Sequence, residues 1–379
     1  MKRSLYLLLG YFAVSGVYAL ITGASFSGGS QCALACTGIS LLTTNKDLIQ
    51  ARTIEWAESS LNSKLMVSPA GYNYTTTMPD GTKGFSWKAK YGFVGISVTV
   101  DQFIGEGVNE KGLNAGIFYF KGFGSLAKYD PNRKNATLSD MDFVRWMLTN
   151  FATVDEMLAQ LPSITLAPVY IDTEGMPTPT GHWRVGDKTG RNIVIEIINN
   201  GEVKVYENIG VLTNSPGYDW QLTNLSNYMN VQPGTIVTKE YGGYTAKSLG
   251  AGTAALGLPG DITPPSRFVR AAFYLFSAPE YNNTMGCVQE AFHILNNFDI
   301  PIGSEFARDH REHIPNMPSA TQWTSVSDLS NLNFYFRTMY DPSVQCIHVP
   351  TMVREVATET YLPLDNGKFE AKPYVIPKK

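Results

Sequence analysis

Ala33-Leu34-Ala35-Cys36-Thr37-Gly38 closes an uncharged N-terminal run, and the rest of the chain is organised around how it is read. Ala33-x-Ala35 has the small-residue spacing that a signal peptidase accepts. Cutting there makes Cys36 the first residue of the mature protein. Such a cysteine carries a nucleophile and a base on one residue, since its thiol has a reference pKa of about 8.5 and its free α-amine about 7.7–8.0. The amine can take the thiol proton near neutral pH without a histidine, as in the Thr nucleophiles that use their own N-terminal amine. The downstream chain is then expected to build a pocket around Cys36.

The leader has Lys2 and Arg3, an apolar stretch from Leu5 to Ile21, then small polar residues, and no charge falls between Arg3 and Lys46. This is the pattern of a secretory signal, so residues 1–35 are expected to be removed and the protein exported, to the periplasm or beyond. Gly10, Gly16, Gly23 and Gly28-Gly29-Ser30 argue against a retained signal anchor, and no stable membrane insertion is expected after processing. Val17-Tyr18-Ala19 is a second acceptable site; its use leaves residues 20–35 as a short pro-segment for self-removal. Residues 36–379 are long enough for one large core, with no low-complexity linker inside them. A net charge of −3 and the lack of any basic run exclude a nucleic-acid partner on electrostatic grounds. Cutting before Cys36 keeps Cys36, Cys287 and Cys346, so at least one thiol is unpaired. Cys287 and Cys346 either pair or sit as buried apolar residues.

Residues 37–45 read as a strand, Asn45-Lys46-Asp47 as a turn, and Leu48–Trp56 as the returning strand. That hairpin brings Arg52 and Glu55 alongside Cys36, although a surface ion pair on an edge strand accounts for them equally. Tyr91–Val100 and Ala115–Phe120 are further strands, joined through Glu106–Leu113 with Gly107 and Gly112 at turn positions. Ser139–Asp142 reads as a capping box opening a helix over Phe143–Phe151, and Thr153 caps a second helix ending at Pro162. Trp183–Asp187, Ile193–Ile197 and Val203–Glu207 form a meander turning at Lys188–Gly190 and Asn199–Gly201. Val211–Pro216 runs from strand into loop, where the Asn214 amide can point into a cleft, although an ordinary turn asparagine is the default reading. Ser266 is expected to cap a helix through Phe276, followed by a helix over Met285–Asn297. Gln322–Leu329, Asn333–Met339 and Cys346–Val349 make the last β-block. This order fits an α+β fold with layers of antiparallel sheet and helices on the outer faces.

Cys36-Thr37-Gly38, Arg52-Thr53-Ile54-Glu55-Trp56, Val108–Leu113, Leu212-Thr213-Asn214-Ser215-Pro216, Gly257–Asp261 with Ser266-Arg267-Phe268, and Thr324–Leu329 before Tyr335-Phe336-Arg337 occur in this order. Together they resemble the choloylglycine hydrolase family, bile salt hydrolases and penicillin V acylases of the N-terminal-nucleophile hydrolases, over most of residues 36–350. The resemblance implies a four-layer αββα sandwich and hydrolysis of a non-peptide N-acyl amide through a thioester, with no cofactor and no metal. It implies Cys36 as nucleophile, Arg52 favouring the thiolate, Asn214 as oxyanion donor, and Arg267 in the polar network. The family usually has Asp where Glu55 stands, in the position that holds the α-amine. Its second oxyanion donor is often an Asn where this chain reads Gly116-Ile117-Phe118-Tyr119-Phe120, so the Tyr119 backbone N–H takes that role. Tyrosine there is a feature of the penicillin-acylase side.

The substrate so implied is a small amphipathic N-acyl amide: a conjugated bile salt, a phenoxyacetyl β-lactam, an N-acyl homoserine lactone or a lipid amide. Its acyl group is expected in a loop-lined pocket including Phe118, Phe120 and Phe123, because loops set acyl choice. Family resemblance implies a homo-oligomer, a tetramer. Asp309-His310-Arg311-Glu312-His313 suggests a metal cluster, but lacks a third ligand and reads as a solvated loop. His182, His293 and His348 are isolated, and Asn73, Asn135, Asn224 and Asn282 are formal glycosylation acceptors. The rival from another class is a lipoprotein, diacylated at Cys36 and serving as a tethered binding module, in which Arg52, Glu55 and Asn214 are structural.

Overall fold

The computed structural model describes residues 34–57, 59–169, 181–305, 317–371 and 373. The leader through residue 33 and the Asp309–His313 run lie outside the described residues.

In chain order the strands are β1 (Leu34–Leu42), β2 (Leu48–Trp56), β3 (Lys64–Ser68), β4 (Asn73–Thr77), β5 (Lys83–Lys88), β6 (Phe93–Val98), β7 (Val100–Asn109), β8 (Asn114–Tyr119), β9 (Thr137–Ser139) and β10 (Thr165–Ala167). They continue with β11 (Gly181–Gly186), β12 (Asn192–Ile198), β13 (Glu202–Glu207), β14 (Val211–Leu212), β15 (Lys239–Tyr241), β16 (Tyr244–Ala246), β17 (Thr321–Asp328), β18 (Asn333–Thr338), β19 (Gln345–His348) and β20 (Thr360–Pro363). A six-stranded antiparallel sheet has the order β14-β1-β2-β17-β18-β19, and an eight-stranded one β13-β12-β11-β8-β7-β6-β3-β20. Helices Pro264–Ser277 and Thr284–Leu295 cover the outer face of the first sheet. Phe143–Asn150 and Val154–Gln160 cover that of the second. The result is the αββα sandwich.

Burial on both faces explains why all nine residues of β2 are buried and its alternation is weak. Residues of a strand still alternate between faces, and directly paired residues share one. Cys36, Gly38 and Ser40 pair with Ile54, Arg52 and Gln50 and face the other sheet. Ala35, Thr37 and Ile39 pair with Glu55, Thr53 and Ala51 and face the helices. The hydrogen bond from Ser40 to Gln50 and that from Arg267 to Thr37 respect this division.

Several boundaries differ from the sequence expectations. The first strand starts before Cys36, at Leu34, and pairs unbroken with β2. Glu106 to Asn109 belong to β7, so Gly107 is a strand residue, not a turn glycine. A Cβ there would lie 2.7 Å from Leu148 Cδ1 and 3.0 Å from the Val94 carbonyl, so the requirement is close packing. Gly112 does occupy the turn, at φ 86°. Ser139 caps a single 3-10 turn, and its own N–H goes to Thr76 Oγ1, so no reciprocal box forms. The Pro264-Pro265 pair starts its helix two residues ahead of Ser266, because proline is pre-set for the first turn. Ser266 instead donates to Asp261. Cys287 is buried, Cys346 is exposed, and neither is in a disulfide. No helix among the described residues is long and apolar enough to cross a membrane.

Gly38 marks where the two sheets approach most tightly beside Cys36. A Cβ at this position would lie 2.6 Å from Phe118 Cζ and 2.9 Å from Arg184 Nη1. Neither neighbour can yield, since Phe118 is fully buried and Arg184 Nη1 donates to the Ile39 and Ala51 carbonyls. Gly38→Ala is therefore expected to cost about 1–3 kcal/mol of stability, the usual range for overpacking. Urea unfolding that gives an unchanged midpoint would contradict this reading of the interface.

Candidate active site

Five segments meet at Cys36: β1, β2, the end of β8, the loop after β14, and the start of helix Pro264–Ser277. Cys36 is 3% exposed. Arg52, paired opposite Gly38 on the same face, sends Nη2 to Cys36 Sγ at 2.9 Å. Its remaining donors go to the carbonyls of Thr53 at 3.2 Å, Gly105 at 2.9 Å and Ile117 at 2.6 Å. The guanidinium also lies 4.2 Å over the Phe118 ring. This settles the surface ion-pair alternative for Arg52, which is fully buried.

Asn214 leaves the sheet two residues after β14, where its Oδ1 accepts the Cys36 N–H at 2.8 Å and Arg267 Nη2 at 2.7 Å. Two donors on one oxygen fix the amide's orientation. Nδ2 therefore faces the other way, donating to the Tyr119 carbonyl at 3.0 Å. The amide nitrogen keeps one further N–H. Tyr119's backbone N–H is directed at the Cys36 sulfur. Arg267 also donates to Thr37 Oγ1, the Cys36 carbonyl and the Ile262 carbonyl.

Opposing effects act on the thiol. Burial pushes the Cys36 pKa up, and outweighs the lowering by Arg52, Arg267 and the Tyr119 N–H; Glu55 raises it further. Glu55 lies opposite Ala35 in the hairpin, fully buried, with Oε1 taking a long 3.4 Å bond from Thr321. Burial pushes its carboxyl up to about 8; Arg267 lowers it, and Glu305 adds to the rise. In the uncut chain the nitrogen of Cys36 is an amide, which offers Glu55 no cation.

The aromatic residues divide differently from the expectation of a loop-lined pocket. Phe118 and Phe120 are fully buried, Phe118 within β8 beneath Arg52 and Phe120 just past its end, stacked on His182. Phe123 is 51% exposed, with its ring 6.0 Å from that of Phe120. The three do not share one lining.

Glu106 and Arg184, which sequence reading passed over, complete the buried charge. Glu106 lies 3.7 Å from Arg52 and 3.1 Å from Arg184, and accepts a bond from Asn114 Nδ2 at 2.8 Å. The available signal was an arginine inside the apolar run Trp183-Arg184-Val185. No group of three or more possible metal ligands occurs among the described residues.

The chain matches the family model for linear amide C–N hydrolases, choloylglycine hydrolase family, over residues 36–353. The bile salt hydrolase/transferase of Clostridium perfringens is 31% identical over 82% of this chain and 92% of that protein. The penicillin V acylase of Pectobacterium atrosepticum is 29% identical over 83% of this chain and 81% of that one. A crystal structure of a mutant conjugated bile acid hydrolase from C. perfringens has a TM-score of 0.75 at 27% identity, covering 89% of this chain and 99% of that one.

Glu55 carries a pH signature specific to the uncut chain. Its folded pKa lies above its unfolded one, so between them the folded state binds the extra proton and stability falls as pH rises. In the full-length chain, verified uncut by intact mass, unfolding free energy is expected to decline from about pH 4.5 to about pH 8, by roughly 1.4 kcal/mol per unit at most. Glu55→Gln should remove the Glu55 share of that slope, most visibly between about pH 6 and pH 8, above the range in which Asp140, pushed up by burial to about 6, contributes as well. Parallel curves for the two proteins would refute the placement of Glu55.

Proposed function

This chain belongs to the choloylglycine hydrolase family and hydrolyses linear amide C–N bonds, and we propose that it does so with Cys36 as an N-terminal nucleophile. The carrying observation is the convergence on Cys36 of Arg52 at its sulfur and Asn214 at its nitrogen. The family match beginning at residue 36 also supports it. Cleavage after Ala35 converts the Cys36 nitrogen from a non-basic amide into an amine beside Asn214. It also gives Glu55 an ammonium partner and vacates the small cluster that Ala35 forms with Ile300 and Ala320.

The amine takes the thiol proton as sulfur attacks the substrate carbonyl carbon. The oxyanion is received by the Tyr119 N–H and the remaining Asn214 Nδ2–H, and collapse returns the proton to the departing amine nitrogen. Water, deprotonated by the Cys36 amine, then attacks the thioester; the acid leaves and the proton passes from that amine to the sulfur, restoring the thiol. Arg52 supplies the cation that favours thiolate. The substrate is a small amphipathic N-acyl amide with an apolar acyl group. Export through the residue 1–35 leader and a homo-oligomeric assembly are parts of the same reading.

The test begins with intact mass and N-terminal sequencing of protein from a secretory host, followed by a panel of penicillin V, glycocholate, taurocholate and an N-acyl homoserine lactone. A free Cys36 terminus and turnover of one panel member are expected. Cys36→Ala should abolish that turnover, and Asn214→Ala should lower kcat about 10²–10³-fold. A lipid-modified or uncut Cys36 in the active protein, or normal turnover by Cys36→Ala, would overturn the mechanism.

A further inference from the structure

We propose that His182 is a positioning residue whose ring sets the spacing between the two strand ends carrying Tyr119 and Asn214, with Glu196 holding the ring in place. The inference rests on the preceding reading of these two residues as oxyanion donors.

His182 on β11 pairs opposite Phe118 of β8, so both side chains face the gap between the sheets. It is fully buried. Its Nε2 lies 3.1 Å from the Thr213 carbonyl oxygen, and Thr213 immediately precedes Asn214. Its face stacks on Phe120 with centroids 4.4 Å apart and planes 9° apart, and Phe120 immediately follows Tyr119. One rigid ring thus spans the two donors' neighbours, gripping one by hydrogen bond and the other by π-contact.

The ring is fixed from behind. Nδ1 lies 3.2 Å from Glu196 Oε1, and that oxygen also accepts the Tyr218 N–H at 2.8 Å. The two ring nitrogens thus face two acceptors, the Thr213 carbonyl and the Glu196 carboxyl. The same segment is pinned further along: Gln221 Nε2 donates to the Asn214 carbonyl at 3.3 Å, and Thr213 Oγ1 donates to the Pro264 carbonyl at 3.0 Å. Asn214 cannot shift its backbone without breaking one of these bonds. Tyr119 cannot shift without moving Phe120 off the imidazole.

Oxyanion donors act only if they sit about 2.7–3.1 Å from the developing charge. A misplacement near 1 Å costs about 10²-fold in rate. Attack of the same sulfur on iodoacetamide displaces iodide from a methylene carbon and develops no oxyanion. The two reactions of Cys36 therefore separate donor placement from thiol reactivity.

The experiment uses the processed enzyme and the panel member it cleaves fastest. His182→Phe keeps the stacking surface and removes both ring nitrogens; Glu196→Gln loosens the ring without changing its shape. Both are expected to lower kcat by about 10–100-fold. KM and the iodoacetamide rate constant at Cys36 should stay within about twofold of wild type, as for loss of an interaction made only in the transition state. His182→Gln, which retains an amide donor towards Thr213, should recover part of the loss. Should His182→Phe fail to fold, Glu196→Gln and His182→Gln read the same quantities. Unchanged kcat in the folded variants, or alkylation falling in step with hydrolysis, would overturn the proposal. Cys36→Ala run in parallel separates the failures: its turnover refutes the nucleophile itself. Its inactivity beside wild-type rates in the His182 and Glu196 variants refutes this inference alone.

Discussion

A fully buried guanidinium with every nitrogen engaged is the constraint on which this sandwich depends. Arg52 projects from the centre of one sheet and reaches the carbonyls of Gly105 on β7 and Ile117 on β8 in the other. A cation removed from water is tolerated only when it is paired and hydrogen-bonded, because its desolvation costs several kcal/mol. The two sheets must therefore hold the separation that lets one side chain bridge them. Gly38 is the corollary, since the position opposite Arg52 has no room for a Cβ. The last donor of the guanidinium, Nη2, falls on Cys36 Sγ. The interaction that sets the spacing of the layers also sets the environment of the sulfur.

The charge balance around that sulfur is uneven. Arg52, Arg184 and Arg267 are buried within the sandwich and its helical cover, while Glu106 sits between the first two. Glu55, with its carboxyl pushed up to about 8, contributes little negative charge at neutral pH in the uncut chain. An excess of positive charge favours a thiolate, yet burial still holds the Cys36 pKa above its ordinary value. Desolvation wins in the uncut chain.

How much of this was legible follows from sequence distance. The hairpin of β1 and β2 is a local feature, with Lys46 at φ 70° in its turn, and the Leu48–Trp56 boundaries agree with the expectation to the residue. Its register alone places Arg52 and Glu55. Asn214 and Arg267 could be assigned only through resemblance, because 178 and 231 residues separate them from Cys36. Glu106, Arg184 and Glu196 escaped notice, and His182 read as isolated, because the partner of each lies on another strand. The segment of β3 to β5 was missed as well: β4 and β5 form a small separate sheet whose alternation is half exposed. Phe118 and Phe120 misled for the opposite reason. Aromatic residues near a site suggest a pocket, whereas in β8 and just past its end they are packed away in the interior.

The departure from aspartate at Glu55 acquires its meaning from the register. Glu55 pairs with Ala35, the last residue before the proposed nucleophile, and faces the helices rather than the sulfur. Arg267, the cation that most lowers its pKa, comes from the helix on that side and also contacts Asn214 Oδ1 and Thr37. A carboxylate on this face cannot compete with Arg52 for the thiol, because the two side chains leave the strand in opposite directions. On its own face it takes the Thr321 hydroxyl and lies in the field of Arg267. The extra methylene of glutamate thus lengthens an arm whose direction the sheet has already chosen. Separation of the two faces of one strand keeps the Glu55 carboxyl apart from the Arg52 guanidinium at the sulfur.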